Sequence, residues 1–273
     1  MEKLTGHISA VLPTPAGPFR VGAAPGAGSI ELSLILPTFK EAQNIRATLQ
    51  AACGILRGVS ALAFEVIVVD DNSPDQTAQL ALDATDESPE VLVMCRTSEA
   101  GLATAVIRGW QAARGSILAV MDADLQHPPE ILANLVAEMR SGRDLAVASR
   151  HVQGGGVGSW NLLRRIVSRG AQAIGLVILP EVLSRISDPM SGFFMVRREA
   201  IEGVDLNPTG YKILIEVLAR GRIRSIGESP YIFRERKEGA SKATAAVYMQ
   251  YLKHLLRLRL TLWRNFLFPR SRS

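Results

Sequence analysis

The chain has 273 residues, 47% hydrophobic and 21% charged, which supplies a full core and excludes wholesale disorder. Its two cysteines, Cys53 and Cys95, lie far apart with no CxxC, which excludes a disulfide scaffold and a cysteine zinc site and points to a reducing compartment. The formal charge of +5 is a tail property: six basic residues and no acid fall between Val247 and Ser273, leaving the remainder near neutral.

Residues 1–29 read as a disordered linker without chemistry, because eight of the seventeen residues from Pro13 to Ser29 are Gly or Pro. From Glu31 the pattern changes. Leu32–Leu36 is an apolar run stopped by Pro37, a buried strand. A helix is expected over about 42–56, a second strand over Phe64–Val69 ending in Asp70-Asp71-Asn72, and a helix over 75–84. Val91–Met94 is a third strand, Leu102–Arg114 a helix, and Ser116–Met121 a fourth strand ending at Asp122. Pro128-Pro129 opens another helix, since proline suits a first turn, and Leu145–Ala148 is a fifth strand. Strands alternating with helices of this length imply an α/β fold with a mostly parallel central sheet flanked by helices. In such sheets functional groups gather at the carboxyl ends of strands, where this chain puts Asp70, Asp71, Asp122 and Asp124. The domain is expected over 30–245, with 246–273 a basic amphipathic tail.

In extended backbone, residues i and i+2 face one side, so Asp122 and Asp124 can share a site with Ala123 turned away. Paired carboxylates repel unless a cation sits between them, and hard oxygen ligands suit Mg²⁺ or Mn²⁺. The same aspartates also suit the start of a helix, and the bare spacing leaves both readings open. Asp70 to Asp75 is likewise either a turn built from good turn formers or a carboxylate that accepts hydrogen bonds from a base or ribose.

Eight blocks occur in order: PTFKE (37–41), VVDDNSPDQT (68–77), GLATA (101–105), DADLQHPP (122–129), SRHVQGGG (149–156), DPMSGFF (188–194), GYKILIE (210–216) and RERKEGASK (234–242). Together they resemble a family 2 glycosyltransferase of GT-A fold, and within it the dolichyl- or polyprenyl-phosphate mannosyltransferases. The resemblance implies a nucleotide-diphospho-sugar transferase fold and a role for each matched position. Asp122, Asp124 and Gln126 match the positions that hold the divalent cation and the donor diphosphate. Pro37, Glu41, Val69 and Asp71 match the base and ribose end, and Lys212 and Arg236 match cations near the donor phosphates. Arg150, Arg164 and Ser168 match the acceptor-phosphate positions, with Arg150 grouped with Asp122 and Asp124 at the reacting centre. Two departures stand out: the usual PTYNE reads PTFKE, with Phe39 and Lys40, and a position that often carries lysine is Glu99.

The chemistry fits those residues. A departing diphosphate needs its developing charge neutralised by a metal and by Arg or Lys. A lipid phosphate is already largely ionised near neutral pH, so it needs positioning by cations rather than a strong base. Direct displacement with inversion is expected, with the two aspartates as ligands and no covalent enzyme intermediate. Trp160, Leu163, Val167, Ala171, Ile174 and Ile178 share a helical face beside Arg164 and Ser168, suited to an ordinary core helix or to a lipid tail. Gly154-Gly155-Gly156 reads as a flexible loop or a lid, and Asp188–Gly192 as a turn or part of the acceptor side. His127 reads as a surface or supporting polar group, and the cysteines as core fillers.

In the tail, Tyr248, Tyr251, Leu255, Leu258, Leu262 and Phe266 recur at i+3/i+4 with Lys253, Arg257 and Arg264 opposite. That pattern fits a helix lying on an anionic membrane surface, or one packed on its own domain. The longest apolar run, Ala173–Leu179, is far short of the ~20 residues of a membrane span, so the expected location is peripheral, on the cytoplasmic side of a membrane. Confined charge and 5% aromatics argue against nucleic acid. The leading expectation is mannose transfer from GDP-mannose to dolichyl or polyprenyl phosphate. Its rivals are the same transfer with UDP-glucose or another sugar nucleotide, and a non-catalytic binder of nucleotide sugar or lipid phosphate.

Overall fold

The computed structural model of the protein describes residues 10–24, 30–158, 162–207, 212–234 and 245–267, with 162–168, 245–248 and 265–267 described by backbone alone. In chain order the strands are Leu32–Thr38 (β1), Phe64–Asp70 (β2), Val91–Cys95 (β3), Ile117–Val120 (β4), Leu145–Ser149 (β5), Phe194–Arg197 (β6) and Ile226–Pro230 (β7). The helices are Ile45–Arg57 (α1), Thr77–Asp83 (α2), Leu102–Ala112 (α3), Ile131–Arg140 (α4), Leu162–Ile178 (α5), Pro180–Leu183 (α6), Arg198–Ile201 (α7), Ile213–Arg220 (α8) and Ala245–Leu267 (α9).

The strands form one sheet in the order β3-β2-β1-β4-β6-β5-β7. β1 lies parallel between β2 and β4, and all seven of its residues are buried, as a strand covered on both faces must be. Successive side chains alternate between faces. Leu32, Leu34 and Leu36 join the core under α1 and α4, while Ile35 joins the core under α3. Gly109 in α3 lets that helix lie directly on β1, since a Cβ there would come within 2.7 Å of Ile35. Trp110, fully buried, meets Phe194 edge-on at 6.1 Å and ties α3 to β6.

All five strands expected from the sequence are present, to within two residues. β6 and β7 complete the sheet, and β6 runs antiparallel between β4 and β5. The consequence for the site is geometric. The carboxyl ends of β1 to β5 and β7, and the start of β6, come to one edge, with Val120 opposite Phe194 and Thr38 opposite Asp70.

The expectation of a free N-terminal linker fails for residues 10–24, which pack on the domain. Val11 bridges Val93 along the outer edge of β3, and fully buried Val21 bridges Glu202. Arg198 anchors the segment by donating to the carbonyls of Gly115, Ala113 and Gly22. Backbone pairing and one buried valine offset the ordering entropy that the Gly and Pro content suggested would prevail. Residues 1–9 and 25–29 lie outside the described residues.

The tail runs as a helix over Ala245–Leu267, and its inner face is the stripe that the sequence left open to a membrane surface or to the domain itself. Tyr251, Leu255 and Leu258 are 4%, 0% and 1% exposed, packed against the domain. The Tyr251 hydroxyl donates to the Ala171 carbonyl of α5 at 3.1 Å. A second apolar face points outward: Met249, Leu256, Leu260 and Trp263 are all exposed, as are Ile174 and Val177 on the adjoining α5. Among the described residues no helix is long and apolar enough to cross a membrane.

Candidate active site

At the β1–β2 end the two neighbouring aspartates have different duties. Asp70 is fully buried and accepts from the Thr38 hydroxyl at 2.8 Å and from the Ser73 amide and hydroxyl at 2.8 and 2.7 Å. It braces the turn. Asp71 sits at the mouth, held from behind by the fully buried Arg96 at the end of β3. Arg96 Nε donates to Asp71 Oδ1 at 2.8 Å, and the Gly101 amide donates to Oδ2 at 2.7 Å. Glu99 completes this group through Arg108, whose Nε lies 2.6 Å from its Oε1. The Arg108 hydrogen bond, then its charge, holds the Glu99 carboxyl below the usual range. A lysine at position 99 would face Arg96 and Arg108, so the departure noted in the sequence suits its local charge. Pro37 and Val69 are buried partners across β1 and β2, and Glu41 lies in the turn beyond, accepting from Asn44 at 2.9 Å.

Beyond β4 the chain leaves the sheet, and Asp122 to His127 form a tight loop rather than an extension of the strand. Ala123 turns inward to the core, its carbonyl accepting from Thr48 at 3.0 Å. Asp124 Oδ1 accepts from the Gln126 amide at 3.1 Å, closing a local turn. Between them Leu125 has φ +59°, a left-handed conformation that a leucine adopts only under constraint. Gln126 is clamped to the segment after β7: its amide group donates to the Arg234 carbonyl at 3.2 Å, and the Arg234 amide donates to its carbonyl at 2.9 Å.

His127 is buried, caged by Phe193, Tyr231 and Phe233 at 5.4 to 5.6 Å between ring centroids. Its Nδ1 lies 3.7 Å from Asp122 Oδ2. Burial, reinforced by Arg150 and opposed by Asp124, lowers its pKa to about 4, so the ring is neutral at physiological pH. Gly192 also packs against Asp122, where a Cβ would come within 3.0 Å of Oδ2.

The cations arrive from the opposite half of the sheet. Arg150 follows β5, and its Nε and Nη2 each reach an Asp188 oxygen at 2.7 Å, a bidentate fork between nearly buried groups. Burial alone would raise the Asp188 carboxyl, but the Arg150 hydrogen bonds outweigh it and hold it low. Lys212, just before α8, donates to the Met190 carbonyl at 2.7 Å. Burial and the Arg150 charge push its pKa down to about 8, against the pull of Asp122 and Asp188. Arg150, Lys212, Asp122 and Asp188 are thus close enough for their charges to act on one another. The Tyr231 phenol, nearly buried among them, is shifted upward by burial.

Residues 33–204 match the family described as glycosyl transferase family 2. The chain belongs to that family. It is 42% identical over 229 residues to a dolichol-phosphate mannosyltransferase of Pyrococcus furiosus, covering 84% of this chain and 64% of that protein. It is 35% identical to the dolichol-phosphate mannosyltransferase of Saccharomyces cerevisiae, over 84% of this chain and 87% of that one. Glucosyl-3-phosphoglycerate synthase from Mycobacterium tuberculosis, solved with Mn²⁺, UDP-glucose and phosphoglyceric acid, superposes with a TM-score of 0.65 at 21% identity, over 88% of this chain and 87% of that one. The fold is GT-A, as the family resemblance implied.

For this family 2 chain, the edge thus gathers Pro37, Glu41, Val69, Asp71, Asp122, Asp124, Gln126, Arg150 and Lys212. The backbone carrying Arg164 and Ser168 lies in α5, but their side chains, and all of Arg236, fall outside the described residues. The glycine loop read as a lid is pinned here: Gly156 bridges Ile232, accepting from the Phe233 amide at 2.9 Å. Arg96 and Tyr231 were missed. Arg96 had a signal, a lone cation closing an apolar strand at the functional edge. Tyr231 had none, because β7 was not recognised.

Asp122, Asp124 and Gln126 follow one another at alternate positions of a single loop and carry two carboxylates and one side-chain amide carbonyl. Among the described residues no group of three His, Cys, Asp or Glu side chains is disposed to enclose a metal. By chemistry, two carboxylates and an amide carbonyl are the hard oxygen donor types that suit Mg²⁺ or Mn²⁺, which take one or two carboxylates and leave positions for phosphate oxygens.

Proposed function

We propose that this chain transfers mannose from GDP-mannose to a dolichyl or polyprenyl phosphate, with inversion at the sugar carbon. The observation that carries the reading is the meeting of the Asp122–Gln126 acid loop with the Arg150 and Lys212 cations at one sheet edge. Asp122, Asp124 and Gln126 are the proposed ligands of Mg²⁺ or Mn²⁺, which when bound neutralises charge on the leaving diphosphate. Lys212, with Arg236, binds the donor phosphates. Asp71, with Glu41, Pro37 and Val69, holds the nucleoside. Arg150, with Arg164 and Ser168, holds the acceptor phosphate in line for attack on the sugar, and Asp188 fixes the Arg150 fork. His127, neutral and of low basicity, and Asp188, paired to Arg150, are not placed as a general base, which a phosphate nucleophile does not require.

The membrane surface is approached by the outer face of α9 and the exposed end of α5, where Leu260, Trp263, Ile174 and Val177 lie near Arg257, Arg259 and Arg264. The expected setting is the cytoplasmic side of a membrane, bound peripherally. Radiolabelled transfer to extractable lipid phosphate, with thermal shifts for GDP-mannose and UDP-glucose in the presence and absence of Mn²⁺, tests the proposal. A shift and a product with GDP-mannose alone support it. A product only with UDP-glucose assigns the glucosyl reaction, and nucleotide binding without any product leaves a non-catalytic binder.

A further inference from the structure

We infer that His127 is a positioning residue for Asp122, its Nδ1–H serving as the donor that orients the inner carboxylate oxygen for the metal and donor diphosphate. The inference rests on the proposed role of Asp122 above. Four observations support it. The imidazole is 3% exposed and cannot turn to solvent. Phe193, Tyr231 and Phe233 enclose it, each centroid within 5.6 Å, so its plane is fixed by packing. Its Nδ1 has no hydrogen-bond partner although wholly buried, a desolvation cost that a native protein rarely leaves unanswered. The nearest carboxylate oxygen is Asp122 Oδ2 at 3.7 Å, and Gly192 approaches that same oxygen so closely that a Cβ there would come within 3.0 Å of it.

A separation of 3.7 Å is not itself a hydrogen bond. It becomes one if the carboxylate moves by less than about 1 Å, a common change when the hydrogen bonds of a free site tighten in the bound complex. The Asp122 side chain, 32% exposed, sits at the mouth of the site. Its outer oxygen then faces the ligand while Oδ2 is held between His127 and Gly192. The tautomer follows from this role: the proton is on Nδ1. Partners of this kind typically change metal affinity or rate 10- to 100-fold when removed.

Two substitutions separate orientation from packing. His127→Phe keeps an aromatic ring in the cage and removes the donor, while His127→Asn places an amide nitrogen close to the position of Nδ1. Mn²⁺ binding by electron paramagnetic resonance, with and without GDP, is measured beside kcat and KM and beside the melting temperature. The expected result is Mn²⁺ affinity reduced about 10- to 100-fold in His127→Phe, substantially restored in His127→Asn, at nearly unchanged melting temperature for His127→Phe. In the wild type, ¹⁵N chemical shifts of His127 should report a protonated Nδ1. His127→Phe binding Mn²⁺ and turning over like the wild type overturns the inference, as does an equal loss in both variants accompanied by a lower melting temperature. A wild-type protein that binds Mn²⁺–GDP while His127 is the Nε2–H tautomer also overturns it, leaving the proposed function intact. No Mn²⁺–GDP binding by the wild type defeats both.

Discussion

The Arg150–Asp188 pair permits stability and activity to be separated. Its side chains are 8% and 1% exposed, and two 2.7 Å hydrogen bonds join them. Asp188→Ala removes the carboxylate and leaves a guanidinium in low-dielectric surroundings without it. Breaking one half of a buried pair costs about 3–5 kcal/mol, whereas replacing both halves with apolar groups is often neutral. At about 2–4 °C per kcal/mol for a domain of this size, Asp188→Ala should melt roughly 6–20 °C lower than the wild type. The double variant Arg150→Met with Asp188→Leu should recover most of that loss, yet remain inactive because the proposed acceptor-phosphate contact is gone. Urea unfolding of the wild type, both singles and the double closes a cycle, with transfer to lipid phosphate measured on the same preparations. Three results would refute the reasoning: an Asp188→Ala melt within about 2 °C of wild type, a double variant as unstable as that single, or transfer activity in the double.

Lys212 gives a pH signature. With its pKa lowered to about 8, the free enzyme loses this charge as pH rises through 8, so kcat/KM for the donor should fall there, and Lys212→Arg should extend the plateau upward. Because the unfolded lysine binds its proton up to about pH 10.4, the unfolded state holds more protons between the two values, and stability should rise with pH across that window, a rise that Lys212→Met abolishes in denaturant titrations. On α9, Leu255→Ala should destabilise by about 2–5 kcal/mol, whereas Leu260→Asp with Trp263→Asp should leave the melt nearly unchanged and lower the fraction sedimenting with anionic liposomes. At Leu125, glycine removes left-handed strain of about 1–2 kcal/mol and a β-branched residue adds to it, so calorimetry should rank Leu125→Gly at or above wild type and Leu125→Val below.

The first half of the fold was legible because β1, β2 and β3 are mostly apolar runs, ended by Pro37, Asp70 and Arg96, and their helices follow at regular spacing. β6 and β7 were not. Phe194–Arg197 is only four residues long and runs straight into a helix, and Ile226–Pro230 carries Gly, Glu, Ser and Pro on an edge strand. Glu228 in β7 is polar because it holds the turn before β6, accepting from the Ser187 amide at 3.0 Å. Neither strand has a period to read. The acids of the site were legible from their position at strand ends, but the partners that fix them were not. Arg96 reaches Asp71 across 25 positions of sequence and Arg150 reaches Asp188 across 38, distances over which spacing carries no signal. The tail shows a different limit. Helical periodicity located an apolar stripe, but a helix with two such stripes does not declare which one the domain covers.

Under the proposed function, charge balance ties the metal, the donor and the cations to one mechanism. Among the described residues, the carboxylates of Asp122, Asp124 and Asp188 stand against Arg150 and Lys212, so the acid loop repels a diphosphate unless its own charge is offset. Each uncompensated like-charge pair at about 4 Å costs on the order of 4 kcal/mol at an effective dielectric near 20, enough to exclude the donor by itself. Under the proposed function, a divalent cation held by Asp122 and Asp124 would reverse the sign where the donor diphosphate is proposed to lie. Binding of the two is then strongly coupled, and by linkage each must raise the affinity of the other by the same factor. Asp188, by contrast, is neutralised within the protein by Arg150. In the proposed roles, that pairing would let the guanidinium present charge toward the acceptor phosphate without attracting the donor away from Lys212, so the two phosphates could occupy neighbouring positions that their own repulsion would otherwise keep apart.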